Sequence, residues 1–359
     1  MLDRRLKVLR LANFVSPTSG GIRTVLRRIS HAQADLGVHS TIVVPGPDAG
    51  IAAVEGVLDV GTLPGVRLAA GQPYRLVLNR TAIRAVLDEV RPDVVEIHDQ
   101  LTLAWLGKEC RRRGIRTVLV AHERLDLLAA FWSGLDVART TAGRWIGRVG
   151  KQVDQVVTPS DFAAIPYRAA GIDVRVVRWG VDHAVFTPEG QRARGGEGVL
   201  RLVHAGRLSA EKDPTLSART AEYLAQRGTA VALTVVGSGP QAPLLAAYPH
   251  ARMVGFLDGA DKMAQALRSA DVFLAPGPFE TFGVSALEAM ACGLPVVCRE
   301  SGSISEIPGT LSAPGSPEGF GQAALALAAD RDARSSAAAF AESYTWDAAA
   351  RQMRAVYEK

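Results

Sequence analysis

Two glutamates, Glu280 and Glu288, flank the start of a helical stretch that follows the apolar run Val272–Ala275. Carboxylates accept hydrogen bonds from sugar hydroxyls. Backbone N–H groups at a helix start, here around Thr281, Phe282, Gly283 and Val284, suit a phosphate. A helix-start charge and a surface acid would leave the same trace. Upstream, Arg207 and Lys212 follow the run Leu200–Ala205. Arginine offers a rigid fork to phosphate oxygens and lysine a mobile point charge. Two such cations suit a diphosphate whose charge grows as a group departs; they equally suit a solvated loop. Ser19-Gly20-Gly21 precedes another helical stretch, where glycines let backbone approach an anion or simply make a tight turn. His122 ends the run 117–121. It is placed either to bond a substrate hydroxyl or leaving phosphate, or to serve structure.

These residues need strands and helices to hold them, and the pattern supplies both. Strand-like runs at 6–14, 40–44, Val94–Ile97, 117–121 and 153–157 alternate with helical periodicity, notably at 22–36 and 83–89. Residues 45–47, Pro-Gly-Pro, read as a turn. The rhythm restarts after the Gly/Arg/Glu-rich segment 190–198. Strands are expected at Leu200–Ala205, Val231–Val236, 253–256, Val272–Ala275 and 295–298. Helices are expected at Pro214–Gln226, 261–269 and Val284–Ala291, with a tail helix over 346–358. Alternation of this kind predicts an α/β protein with two doubly wound, Rossmann-like sheets in tandem. Ligands of such sheets lie beyond the strands' carboxyl ends, where the residues above fall. The segment 237–242 fits G-x-G-x-x-A, with Asp258 about twenty residues on, formally a dinucleotide motif. Without hydride-transfer chemistry elsewhere, it reads as a turn whose Pro240 starts a helix beside a nucleotide base.

The 359 residues, 48% of them apolar, suffice for two cores. No apolar run spans a membrane and the N-terminus lacks a signal-peptide core. Cys110, Cys292 and Cys298 form no C-x-x-C pair, so neither disulfides nor zinc are expected. No convincing His/carboxylate cluster suggests any other metal. Residues 1–180 hold 25 Lys and Arg against 17 Asp and Glu, whereas 181–359 hold 16 against 19. The basic half suits a phospholipid surface or phosphorylated ligand, or is an ordinary solvated face. No basic stripe carries interleaved aromatics, which argues against nucleic acid. The stretch 125–135, rich in Leu, Ala, Phe and Trp, either meets a lipid or forms a buried helix; the second is the plainer reading.

Taken together, the motifs resemble the retaining GT-B glycosyltransferases of glycosyltransferase family 4. Glu280 and Glu288 match that family's E-x7-E signature, Gly206-Arg207 with Lys212 its diphosphate clamp, and Gly20-Gly21 its glycine loop. Trp179-Gly180-Val181-Asp182, with Phe186 and Pro188, is similar to its interdomain linker. Residues 12–14 and 19–24, Leu101-Thr102-Leu103, residues 122–126 and residues 275–278 resemble actinobacterial GDP-mannose-dependent α-mannosyltransferases of the phosphatidylinositol-mannoside type. The resemblance implies an acceptor domain over residues 1–182, a donor domain over 183–343, and a tail helix, 344–359, packing back on the first. It also implies a central cleft that closes on the substrates.

By the same resemblance, Gly20, Gly21, Arg207, Lys212, Glu280, Thr281, Phe282, Gly283, Val284 and Glu288 would hold the nucleotide sugar. Gly237, Phe256, Asp258 and Lys262 would meet the base. His122, Arg207, Lys212 and Glu280 would act in catalysis. Asn13, Tyr74, Asp99, His122, Arg124 and Asp126 would face the acceptor. The implied reaction is metal-independent and cofactor-free, with GDP-mannose as donor and a glycolipid or small glycoside as acceptor. The expected location is the cytoplasm, or the inner face of the plasma membrane through anionic lipid. Alternatives are a UDP-sugar enzyme with a soluble acceptor, a nucleotide-sugar epimerase, a non-catalytic nucleotide-sugar-binding protein and an NAD-linked oxidoreductase.

Overall fold

The computed structural model describes residues 5–15, 21–54, 58–68, 74–190 and 198–358. Gly20 and Ser19 lie outside the described residues, as does most of segment 190–198. The chain divides into two compact units, Met1–Gly180 with Trp346–Lys359, and Val181–Thr345.

The first unit runs β1 (Leu6–Leu11), α1 (Gly21–Ala34), β2 (Val38–Gly46), β3 (Gly50–Val54), β4 (Leu58–Pro64), β5 (Val66–Arg67) and β6 (Arg75–Leu76). It continues through α2 (Arg80–Val90), β7 (Val94–Ile97), α3 (Leu106–Arg113), β8 (Arg116–Val120), α4 (Leu125–Ser133) and α5 (Asp136–Gly150). Then come β9 (Gln155–Thr158), α6 (Asp161–Ala169) and β10 (Val174–Val176). The large sheet has the order β10-β9-β8-β7-β1-β2-β4-β3. Only β3 pairs antiparallel in it. The chain leaves β1 toward β2 and later returns to β7 on β1's other side. That reversal opens a crevice at the carboxyl ends of β1 and β7.

The second unit runs β11 (Leu200–Ala205), a 3-10 turn (Ala210–Lys212), α7 (Pro214–Gln226), β12 (Val231–Val236), α8 (Ala242–Leu245), β13 (Ala251–Gly255) and α9 (Ala260–Arg268). It continues with β14 (Val272–Ala275), α10 (Val284–Ala291), β15 (Val296–Arg299), a 3-10 turn (Ile304–Glu306) and β16 (Leu311–Ala313). Helices α11 (Pro317–Ala329) and α12 (Ala333–Ala341) complete it, and α13 (Trp346–Tyr357) returns to the first unit. Its sheet is parallel throughout, in the order β13-β12-β11-β14-β15-β16. Here the switch lies between β11 and β14. Central strands read as near-continuous apolar runs because helices cover both faces; all four residues of β14 are buried.

Helix starts follow local chemistry. Asn79, Ser160 and Ser316 accept the first-turn N–H of α2, α6 and α11. Helix α13 packs on α1, and Gln33 Nε2 donates to the Ala350 carbonyl.

Several local expectations need correction. Strand β1 stops at Leu11, because Asn13 Oδ1 accepts from Val77 N and Phe14 adopts φ 59°. Pro45 and Gly46 extend β2, in register with Leu63 and Pro64 of β4. A Gly-Pro cluster masked a strand end whose partner, β4, the periodicity does not reveal. Pro240 does not start a helix; α8 begins at Ala242, with Pro243 in its first turn. The stretch 125–135 is not buried: only Asp126 of α4 is, and Trp132 is 64% exposed.

Candidate active site

The second unit's switch point brings together two segments far apart in sequence. After β11 the chain passes Gly206 and Arg207 into the turn that ends at Lys212. After β14 it passes Gly277 and Glu280 into α10. Lys212 Nζ lies 2.8 Å from Glu280 Oε1, both side chains about three-quarters covered. Arg207 NH2 donates to Glu211 Oε1 at 2.8 Å, and Glu211 is buried. A cation that suits a phosphate and a carboxylate that suits a hydroxyl therefore share one position.

The loop after β14 is tightly specified. Gly283 takes φ 82° as it caps α10, and a Cβ there would fall 2.5 Å from Ile304 Cγ1. Only glycine fits both the conformation and the space. Ser303 N donates to the Glu280 carbonyl at 3.0 Å. The N-cap residue of α10 is Gly283, which brings no side chain to the first turn. Glu288 stands one turn from Val284 on the same helix face, and both are half-buried. Phe282 is buried, with its ring 6.3 Å from Tyr344.

Sequence reasoning missed Arg299 at the end of β15. Its Nε donates to the Pro276 carbonyl at 2.6 Å and its NH2 bonds Asp213. One guanidinium thus ties the loop carrying Lys212 to the loop carrying Glu280.

Gly237 explains the G-x-G-x-x-A match without a dinucleotide. At φ 135°, a Cβ on Gly237 would overlap the Gly206 carbonyl oxygen. The loops after β11, β12 and β13 are joined by Leu208 N to Ser238 O at 3.0 Å and Gly237 N to Gly255 O at 2.8 Å. Phe256, Asp258 and Lys262 are exposed around the end of β13 and the first turn of α9. Gly21 opens α1 and is exposed.

In the first unit, most of the residues expected at the acceptor serve the loops. Asn13 Nδ2 donates to Asp99 Oδ2 at 3.1 Å and Thr102 Oγ1 at 2.7 Å. Asp99 also accepts from the backbone N–H groups of Leu101 and Thr102. Arg124 and Asp126 form a buried, bidentate pair at 2.8 and 2.7 Å, with Arg124 also donating to the Phe162 carbonyl. Tyr74, half-buried, packs near Phe14.

His122 belongs to a chain of polar groups that the sequence reading did not assemble. Its Nε2 is 2.7 Å from His98 Nδ1. His98 Nε2 is 3.0 Å from Glu96 Oε2, which lies 2.8 Å from Arg10 Nε. Tyr357 of α13 donates to Glu96 Oε1. Trp179 stacks on His122 at 6.2 Å. The available signal was a charge inside each of two apolar strands: Arg10 and Glu96 are register partners of β1 and β7. In a sheet covered on both faces, such a charge needs an opposite partner.

Burial pushes the neutral form of two histidines. Desolvation, then His98, lowers His122 to about 3; desolvation lowers His204, beneath the Gly206 loop, to about 4. Each binds a proton more readily when unfolded, so stability is fully present above the ordinary value of 6.5 and falls as pH drops toward the folded values. Urea denaturation at pH 7 and pH 5 is expected to show a loss approaching about 1.4 kcal/mol per pH unit for each histidine. A flat profile would contradict neutral burial.

Residues 19–185 match the family model "Glycosyltransferase Family 4", and residues 200–330 match "Glycosyl transferases group 1". A Mycobacterium tuberculosis protein named GDP-mannose-dependent alpha-(1-6)-phosphatidylinositol dimannoside mannosyltransferase is 34% identical, over 98% of this chain and 95% of its own. The chain belongs to glycosyltransferase family 4. A D-inositol 3-phosphate glycosyltransferase of Salinispora tropica is 31% identical over 89% of this chain and 72% of its own. Among solved structures, sucrose-phosphate synthase from Thermosynechococcus elongatus superposes with a TM-score of 0.78 at 18% identity, covering 99% of this chain and 98% of that one. The two parallel-sheet units are those of the GT-B class. The switch-point loops where Lys212 and Glu280 meet are the candidate donor site.

Proposed function

We propose that this glycosyltransferase moves α-mannose from GDP-mannose, with retention, to a hydroxyl of a phosphatidylinositol-mannoside-like glycolipid. The observation that carries the reading is the meeting of Lys212 and Glu280 at the second unit's switch point. The mycobacterial relative's name supports the donor and acceptor class. Lys212 and Arg207 would balance the growing charge of the leaving diphosphate, the work a metal does in other enzymes. Glu280 would hold donor-sugar hydroxyls and Glu288 the ribose. The acceptor hydroxyl would attack on the face the phosphate leaves, and that phosphate would take its proton, so no protein nucleophile is needed.

A thermal-shift panel tests the donor. Binding stabilises the native state with the logarithm of ligand over Kd. GDP and GDP-mannose are expected to raise Tm, while UDP, ADP, UDP-glucose and NAD leave it unchanged. A shift selective for UDP would replace the mannose reading with a UDP-sugar one, and a shift with NAD alone would remove glycosyl transfer.

A lipid acceptor is supported by the tip formed by α4 and α5. Trp132, Leu135 and Val137 are 64, 58 and 66% exposed there. Exposed Arg139, Arg144, Arg148 and Lys151 follow along α5 and its end, around a groove of about 1190 Å³. Apolar side chains beside cations suit the boundary of an anionic bilayer. Vesicles containing anionic phosphatidylinositol are expected to retain the protein at low salt, and Trp132→Ser with Leu135→Ser to release it. Equal retention of that variant would remove this surface from the account.

A further inference from the structure

We propose that His98, held by Glu96, is a positioning residue that fixes the tautomer and orientation of His122. The inference rests on the glycosyl-transfer reading for what His122 does in turnover, while the tautomer itself stands on geometry.

The donors and acceptors along the chain admit one arrangement while both rings are neutral. Glu96 is buried, and although burial opposes its charge, Arg10, His98 and Tyr357 hold its carboxyl at about 2. An ionised carboxylate only accepts. One of its oxygens accepts from Tyr357 and the other faces Arg10 and His98. His98 Nε2 must therefore carry hydrogen, and its Nδ1 must be the lone pair. The atom facing that lone pair at 2.7 Å is His122 Nε2, which must then be the donor. His122 keeps its acceptor lone pair on Nδ1. The two rings lie 5.1 Å apart with planes inclined by 20°, and the Trp179 ring stacks on His122 at 6.2 Å. The imidazole is thus fixed both by a hydrogen bond and by ring contact.

The arrangement also gives α13 a task. Tyr357 reaches Glu96 and contacts Gln33 and Arg10. Helix α13 thereby joins the polar chain that starts at β1.

Histidine 15N–1H NMR of the intact protein tests the tautomer, read beside steady-state kinetics and GDP titration calorimetry. At neutral pH, His122 is expected to carry its proton on Nε2 and His98 on Nε2. His98→Phe keeps a ring in place but removes both hydrogen bonds. It should mix the His122 tautomers and lower kcat about ten- to a hundred-fold with donor KM changed less than about three-fold. His98→Asn, whose Oδ1 can replace Nδ1 as acceptor, should recover most of that loss. A His122 proton on Nδ1 in the parent protein would overturn the inference even if neither variant folds. So would an unchanged tautomer and kcat in folded His98→Phe. Absent GDP binding with the expected tautomer would sink the GDP-mannose reading and leave the His98 assignment standing.

Discussion

Glu280→Ala is expected to lower kcat by about 10²–10³-fold, with the Kd for GDP unchanged or tighter. The asymmetry comes from the ion pair at 2.8 Å. Removing the carboxylate deprives the sugar of a contact that should strengthen as charge develops on it. It also frees Lys212 from its protein partner, leaving the full cation for the diphosphate. Lys212→Ala should act in the opposite way, losing a charge-assisted contact worth about 1.5–3 kcal/mol and weakening GDP binding about ten- to a hundred-fold. Turnover by the two variants together with calorimetric GDP binding checks both. Near-normal turnover in Glu280→Ala, or GDP binding by Lys212→Ala as tight as the parent's, would show that the pair only ties two loops together.

The second large effect is on stability. Glu96→Ala should cost about 3–5 kcal/mol, a substantial part of the stability of a typical domain. Arg10 is fully buried, and the substitution leaves its guanidinium without the opposite charge 2.8 Å away. The penalty is that of a desolvated, unbalanced cation rather than the worth of the pair. Arg10→Met combined with Glu96→Leu should therefore regain most of the loss, since apolar replacement of a buried pair is often neutral. Urea denaturation of the parent, the single and the double variant measures this. A single variant as stable as the parent would contradict the reading, as would a double variant no better than the single.

How much of this was legible in the sequence depends on the range of the interaction. Helices Pro214–Gln226 and Val284–Ala291 and strands Val231–Val236 and Val272–Ala275 follow from periodicity and Pro or Gly punctuation, because each is set locally. Strands β3 and β4 were not legible: Gly50–Val54, Gly-Ile-Ala-Ala-Val, has no polar–apolar alternation and acquires its form from pairing with β4. Glu280 and Lys212 could each be singled out by type and place in a strand-to-helix loop, but their meeting depends on β11 lying next to β14. Arg299, after a different strand, carried no such mark. Asn13, Asp99, Arg124 and Asp126 have side chains suited to an acceptor, yet those side chains bond one another and the loop backbone. Polar type alone does not distinguish a residue that holds a loop from one that faces a ligand. The exposure of Trp132 was likewise hidden, since an apolar helix reads alike whether covered or bare.

The measurement that bears most directly on the central claim is the anomeric configuration of the product made from 13C-labelled GDP-mannose and a phosphatidylinositol dimannoside, read by NMR. A new α-mannosidic carbon is expected together with release of GDP. A β-mannoside would contradict retention, and intact GDP-mannose alongside turnover of a UDP-sugar would contradict the proposed donor.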